Sequence, residues 1–270
     1  MKPFEVIQGS GAIILGQPHG GTWLPDTLLA RLNENGRKLA DTDWHIGRLY
    51  DGLLPNITIV RSNVHRYAID ANRDPAGTSL YSGQNTTELC PTTDFDGLPI
   101  WQSGQEPSAD EIESRRQQWH ETYHAALASE VERVKTTHGF AVLDDCHSIR
   151  SEIPFLFEGL LPVFSIGTNG GQTCAPAIET ATHRLCKASN DSVALNGRFK
   201  GGWTTRHYGR PGEGVHAIQM ELAQRAYLAH EAAPWAYDTE RAGRLRISLS
   251  AILHDIRQLA LDGTLKPTHS

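Results

Sequence analysis

The sequence predicts a three-layer α/β/α domain on a mainly parallel, or mixed, central sheet. Three observations carry this. Short runs rich in Val, Ile and Leu alternate with longer segments of helical period. Two of those runs lead into polar clusters, Gln17-Pro18-His19-Gly20-Gly21 and Asp144-Asp145-Cys146-His147-Ser148. In open α/β sheets, ligands collect beyond the carboxyl ends of strands, so both clusters are candidate site segments. Third, the pattern runs on without a linker through 270 residues, long enough for one large domain with a substantial core.

The elements follow in order. Residues 12–16 read as a buried strand, and Gly20-Gly21 permits a tight turn with close backbone approach. A short helix is expected over 26–33, stopped by Asn35-Gly36. Ile46, Leu49, Tyr50 and Leu53 share one face of a second helix, with Asp41 or Thr42 as its N-cap. Residues 57–60 form the next strand, and 61–75 are charge-dense and irregular. Residues 76–107 are rich in Gly, Pro, Thr, Ser and Asn. Because the α/β pattern resumes afterwards, this stretch is expected to be a loop excursion, a lid over the sheet, within a single domain spanning 1–270. Ser108 opens the longest helix, 109–136, with Trp119, Tyr123, Leu127, Val131 and Val134 in period and Gly139 as the stop. A strand over 140–143 then breaks off into the polar cluster. Further strands are expected at 163–166 and 216–222, the short apolar run 193–195 leads into Asn196-Gly197, and helices are expected at 175–188 and 239–261, the last N-capped by Asp238.

A net charge of −6 argues against nucleic acid or an anionic membrane as partner, so an anionic substrate must be met by local Arg and Lys. No apolar run approaches membrane-spanning length, and the N-terminus lacks a signal-peptide pattern. The four cysteines form no CxxC pair, as expected of reduced thiols in a cytoplasmic protein. The sequence carries no signal for oligomeric state.

His19 and His147, each after a strand-like run, are expected to meet over the sheet and share a divalent metal, zinc above all. The competing reading of His19 is a hydrogen-bonded loop histidine. Asp43 is the candidate third ligand, although a carboxylate at a helix start is favoured by the helix dipole anyway. Asp144 and Asp145 can orient a ligating imidazole. Glu221 lies in an apolar strand, where desolvation raises a carboxyl's pKa, and it is the candidate base; a salt bridge to Arg225 is the alternative. Arg61, Arg66 and Arg73, then Arg198, Lys200, Arg206 and Arg210, suit carboxylate capture, with about half expected to be structural. A serine-hydrolase reading fails because no GxSxG occurs, and the phosphate-loop spacing GxxxxGK[ST] is absent.

These stretches, joined by Asp41-Thr42-Asp43-Trp44-His45, Asp70-Ala71-Asn72-Arg73-Asp74-Pro75, Asp96-Gly97-Leu98-Pro99-Ile100, Asp145-Cys146-His147-Ser148-Ile149-Arg150, Leu156-Phe157-Glu158-Gly159, Asn196-Gly197-Arg198-Phe199-Lys200-Gly201-Gly202, Arg206-His207-Tyr208-Gly209-Arg210-Pro211 and Gln219-Met220-Glu221-Leu222, are quite specific in combination and order. Over nearly its whole length the chain resembles the N-formylglutamate amidohydrolase (deformylase) family, itself distantly similar to zinc carboxypeptidases and aspartoacylases. The resemblance implies a zinc-exopeptidase-like fold. It implies hydrolysis of N-formyl-L-glutamate to formate and glutamate, the last step of one bacterial route of histidine breakdown. By position it makes His19 and His147 metal ligands, Arg66, Asn72 and Arg73 substrate-binding, and Glu221 the base. Arg198, Lys200 and Arg206 are expected to complete the hold on the glutamate moiety. Thr22 stands where the distant relatives carry a carboxylate ligand, so Asp43, with Asp41 second, is the expected replacement. Two rivals remain: a related metal amidohydrolase acting on another N-acyl amino acid or a peptide terminus, and a non-catalytic binder of acidic amino acids.

Overall fold

A computed structural model describes residues 2–78 and 85–265. Its sheet comprises β1 (Phe4–Ile7), β2 (Ile13–Gln17), β3 (Thr58–Ser62), β4 (Ala141–Ile149), β5 (Phe164–Gly167), β6 (Val193–Leu195) and β7 (Val215–Ala223). The spatial order is β1-β3-β2-β4-β7-β5-β6. Strands β3, β2, β4 and β7 run parallel; β1 joins β3 and β5 joins β7 antiparallel, so the sheet is mixed. The helices are α1 (Asp26–Leu29), α2 (Ile46–Tyr50), α3 (Ala109–Arg115), α4 (Glu121–His138), α5 (Pro176–Ala188), α6 (Trp203–Tyr208) and α7 (Thr239–Leu261).

Strand alternation sorts the side chains into two cores. Ile13 and Leu15 of β2, Val142 and Cys146 of β4, and Ile218 and Met220 of β7 pack with Leu49 of α2, Ile178 of α5 and Leu249 and Ile252 of α7. On the other face Ile14, Leu143 and Ala217 meet Tyr123, Leu127, Val131 and Val134 of α4. Each large aliphatic side chain so buried stabilises the fold by about 1.5–3 kcal/mol. No helix among the described residues is long and apolar enough to cross a membrane.

Several elements differ from expectation. Strand β4 does not break off at Leu143 but continues to Ile149, buried throughout. It lies between β2 and β7, so its polar residues stay in the ladder and find side-chain partners on neighbouring segments. The helix expected over 109–136 is interrupted by a π turn at Arg116–His120. Helix α2 begins after His45, which holds a left-handed φ of 59° and gives no side-chain cap. Neither Asp41 nor Thr42 caps it: the Thr42 hydroxyl donates to Leu39 O, and Asp41 accepts from the Tyr67 hydroxyl and the Phe95 amide. Asp238 does cap α7, accepting from the amides of Glu240 and Arg241. Strand β1 and helix α6 had no counterpart in the sequence pattern. Of the excursion over 76–107, residues 79–84 lie outside the described residues; Leu89, Cys90, Ile100 and Trp101 pack firmly with Leu24, Leu28, Leu32 and Tyr67. That part is a wall rather than a free flap.

Candidate metal centre and substrate cleft

At the carboxyl ends of β2 and β4 the chain gathers His19, Asp43 and His147, all buried, with one donor atom from each within 4.8 Å of the others. Gly21 makes the approach possible, because a Cβ there would stand 2.4 Å from the backbone carbon of Asn63. Asp43 is tied at both ends of its peptide environment: its amide donates to His19 O at 3.1 Å, and its Oδ2 accepts from the Ser148 amide at 3.1 Å.

The two imidazoles face each other through Nδ1, 3.1 Å apart. Asp43 Oδ2 lies 3.3 Å from His147 Nδ1 and 3.9 Å from His19 Nδ1. Two imidazole nitrogens and a carboxylate buried this close suit a shared cation, and Arg66 Nη2, 3.0 Å from His19 Nδ1, is the one positive side chain at that nitrogen among the described residues. A tetrahedral zinc with ligand bonds near 2.0–2.1 Å separates its donors by about 3.3 Å, the span seen here. Asp43 Oδ1 is buried without a hydrogen-bond partner, with Arg66 Nη1 3.7 Å away. The donor set therefore fits a divalent cation.

The far nitrogens are held by carboxylates. His19 Nε2 donates to Asp70 Oδ1 at 2.7 Å, and His147 Nε2 lies 3.0 Å from Asp145 Oδ1. The Asp70 bond fixes the His19 tautomer that leaves Nδ1 as donor to a metal, whereas His147 Nε2 stands between Asp145 Oδ1 and Asn72 Nδ2, each 3.0 Å away. Asp70 also accepts from Arg66 Nη2 at 2.9 Å, and Arg73 Nη2 lies 3.7 Å away. Burial alone would raise the Asp70 carboxyl, but Arg73, His19 and Arg66 hold it well below the usual range. Burial and the Arg66 charge lower His19 to about 4. Burial also acts to lower His147, but Asp145 and Asp43 outweigh it and raise this imidazole.

Glu221 sits beside His147, its register partner on the adjacent parallel strand β7. Burial pushes its carboxyl up to about 8; His147 draws it down and Asp43 adds to the rise. Its Oε2 accepts from Gln219 Nε2 at 3.2 Å, and Gln219 Oε1 accepts from the Gly202 amide at 2.6 Å. Above these groups opens a narrow cleft, lined also by Arg66, Asn72, Arg73, Phe95, Arg198 and Phe199. Arg73 Nε donates to Thr87 O at 2.9 Å and Arg198 Nη2 to Asn85 O at 3.2 Å, so the segment 85–87 fixes both cationic walls.

The family model described as N-formylglutamate amidohydrolase matches residues 11–228. The chain is 42% identical over 251 residues to the N-formylglutamate deformylase of Pseudomonas aeruginosa, covering 92% of this chain and 94% of that one. It is 40% identical over 254 residues to the enzyme of the same name from Pseudomonas putida, with 93% and 94% covered. The chain belongs to the N-formylglutamate amidohydrolase family. Its fold is that of the crystal structure of N-formylglutamate amidohydrolase from Ralstonia eutropha, with a TM-score of 0.81 at 22% identity over 97% of this chain and 100% of the other. A second crystal structure, of an Agrobacterium tumefaciens gene product, matches with a TM-score of 0.71 at 16% identity, over 98% and 96%.

For this amidohydrolase-family chain, the placement of the remaining candidates is mixed. Asn72 Nδ2 lies 3.0 Å from His147 Nε2, at the cleft wall with Arg66 and Arg73. Lys200 is exposed, and Arg206 Nε donates to Gly201 O at 2.8 Å; neither lines the cleft, although both were expected to hold substrate. The Gly201-Gly202 turn, with Gly202 in the cleft lining, leads from Arg198 into α6. Thr22 is exposed, away from the cluster. Asp41 is occupied with Tyr67 and Phe95, and its carboxyl is raised to about 7 by burial. Arg61 stands 3.3 Å from Glu5 and Arg210 3.4 Å from Glu213, which are structural pairings. Burial pushes the Cys146 thiol far above its usual range, which fits an inert core residue. Sequence reasoning missed Asp70 as the partner of His19, for no signal linked positions 51 residues apart. It also missed Gln219, which the period-2 rule places on the same strand face as Glu221.

Proposed function

We propose that this protein hydrolyses N-formyl-L-glutamate to formate and L-glutamate, with zinc held by His19, Asp43 and His147. The observation that supports it most is the convergence of three buried donors beside a buried carboxyl, under a cleft walled by arginines. A divalent cation there supplies a Lewis acid for the formyl oxygen and acidifies water. Glu221 takes a proton from the attacking water at its carboxylate and hands it to the departing amine nitrogen. A carboxyl raised toward neutrality is matched to both transfers. Gln219 holds that carboxylate in orientation, and its own orientation is set by the Gly202 amide. Arg73 and Arg198 meet the two substrate carboxylates, and Asn72 borders His147. Arg66 is 5% exposed and paired with Asp70, so its part is to set the local charge and complete the floor of the cleft. We propose further that the reaction ends a route of histidine breakdown in the cytoplasm, a compartment that the four buried free cysteines support.

The deciding experiment couples metal analysis to a formate-release assay on N-formyl-L-glutamate. Stoichiometric zinc and activity that disappears on chelation support the reading. Faster turnover of N-acetylglutamate or of a peptide terminus would redirect it to another N-acyl substrate. Tight glutamate binding without turnover would make the protein a binder.

A further inference from the structure

The segment 70–73 carries Asn72 and Arg73 into the cleft, yet it lies outside every strand and helix. Its carbonyls therefore have no ladder partners and need donors from elsewhere. Two come from one helical surface. His124 Nε2 donates to Ala71 O at 2.7 Å, and His120 Nε2 donates to Arg73 O at 3.0 Å. The two bonds bracket Asn72, whose Oδ1 accepts from the Thr204 amide at 2.8 Å and whose Nδ2 faces His147.

His120 ends the π turn and His124 follows one turn into α4, so their rings stand together with centroids 4.4 Å apart. Trp203 packs against both, at 5.4 Å and 4.7 Å, and itself stacks on His207 at 4.2 Å. Burial lowers both imidazoles, His124 to about 3, so each ring is neutral and offers a single N–H. That N–H goes to the carbonyl. A π turn inside a long helix is a local departure from the regular ladder that recurs at functional sites. Here it ends on the residue that meets Arg73.

We infer that His120 and His124 are positioning residues that clamp the carbonyls on either side of Asn72 and so aim Asn72 and Arg73 at the substrate. The inference rests on the proposed function, in which Arg73 binds a substrate carboxylate. The segment's own bonds tie Asp70 O to the Arg73 amide and the Asp70 amide to Leu89 O but leave the carbonyls of Ala71 and Arg73 to the two rings, each a rigid donor on a packed helix. A misplacement of about 1 Å in a binding group costs on the order of a hundredfold, which makes such rigidity functional rather than decorative.

The test uses zinc-loaded full-length protein. His120→Leu and His124→Leu remove the donors; His120→Gln and His124→Gln keep an N–H at the same reach. Arg73→Gln is the benchmark. L-glutamate binding is read by calorimetry, KM and kcat by formate release, and folding by Tm. The expected result is a glutamate Kd and a KM raised about tenfold or more in the Leu variants, with kcat changed less and the Gln variants near wild type. Leu variants with a lowered Tm but unchanged Kd and KM would overturn the inference, since packing alone would then explain the histidines. Should the Leu variants not fold, His120→Asn and His124→Asn are measured instead. Their amides fall short of the carbonyls, and unchanged binding in them overturns the inference equally. If Arg73→Gln weakens glutamate binding and the histidine variants do not, only this inference falls. If Arg73→Gln leaves binding unchanged, the functional reading falls and takes the clamp with it.

Discussion

Replacing Asp70 by Asn tests the metal centre through a residue that touches no substrate. Asp70 is fully buried and accepts from His19 Nε2 at 2.7 Å, from Arg66 Nη2 at 2.9 Å and from the Asn72 amide at 2.9 Å. Asparagine has the same shape but offers one acceptor and an NH2. That NH2 must face a donor, either His19 or Arg66. If it faces His19, the imidazole answers by moving its proton to Nδ1, and Nδ1–H no longer ligates. If it faces Arg66, the guanidinium loses its 2.9 Å carboxylate partner and keeps Asp43, at 3.7 Å, and Asp41 as its carboxylate neighbours. Breaking a buried pair of this kind costs about 3–5 kcal/mol of stability. Losing the carboxylate behind a ligating histidine costs about 10–100-fold in metal affinity or activity. We therefore expect Asp70→Asn to fold with a lowered Tm, to bind zinc at least about tenfold more weakly, and to lose kcat/KM by about two orders of magnitude. Zinc retained after dialysis against a competing chelator, measured by plasma mass spectrometry, reads the first effect, and formate release reads the second. The pH behaviour is fixed by sign. The folded pKa of Asp70 lies well below its unfolded value, so its contribution is complete above about pH 4 and is lost only as pH falls through the lower folded value. The stability deficit of Asp70→Asn should accordingly be constant across neutral and mildly alkaline pH. Unchanged zinc affinity and unchanged kcat/KM in a folded Asp70→Asn protein would refute the tautomer argument.

Other expectations concern the remaining groups. Glu221→Gln should lose about 10²–10⁴ in kcat while still binding glutamate, and full activity in this variant removes the base. Arg198→Gln should raise KM for N-formylglutamate about tenfold, a loss near 1.4 kcal/mol, and narrow the preference over an N-formyl monocarboxylate; an unchanged preference would place the second carboxylate elsewhere. Asp144 is held at about pKa 7 by burial and by Asp145. A buried acid with a raised pKa lowers stability as pH climbs from the unfolded value near 4 through 7. Asp144→Asn should thus raise Tm at pH 8 and do little near pH 4, and an equal shift at both pH values contradicts the cause given. Cys146→Ala should cost stability but leave kcat/KM within about threefold, because the buried thiol touches no reacting group.

The fold was legible because period and alternation are local signals. Asp238 announced α7, and the period of Leu245, Leu249, Ile252 and Ile256 gave its extent to Leu261. The same locality explains the failures. Nothing within a few residues of Leu143 distinguishes a strand that ends from one whose polar residues are paired across the sheet, and β4 is the second kind. His19 and His147 could be paired in advance because each follows a strand-like apolar run, although His147 lies within β4 itself, whereas Asp70 could not be linked to His19 by any pattern in the chain. Lys200 and Arg206 were expected beside Arg198 on sequence proximity alone, and among the described residues that line the cleft Arg198 is present and these two are not. At Gly202 a Cβ would stand 2.4 Å from the Asn72 amide nitrogen, so the Gly201-Gly202 turn is fitted to the cleft wall rather than to a phosphate.

The parity of β4 and β7 shows how the labour is divided. On β4, alternation sends Asp145 and His147 toward the site and Asp144 and Cys146 into the opposite core. On β7 the same rule aligns Gln219 with Glu221, and parallel register sets Asp145 beside Gln219 and His147 beside Glu221. Adjacent strands lie about 4.8 Å apart, so the groups proposed to hold the cation and move protons are spaced by the hydrogen-bond ladder itself. The recognition groups have no such frame. Arg73 and Arg198 come from loops and both meet the segment 85–87, with His120 bonded to the Arg73 carbonyl and Arg198 Nε donating to Leu156 O. Substitutions in those loops should therefore change which acid is accepted while leaving the proton chemistry intact, and substitutions in the ladder should do the reverse.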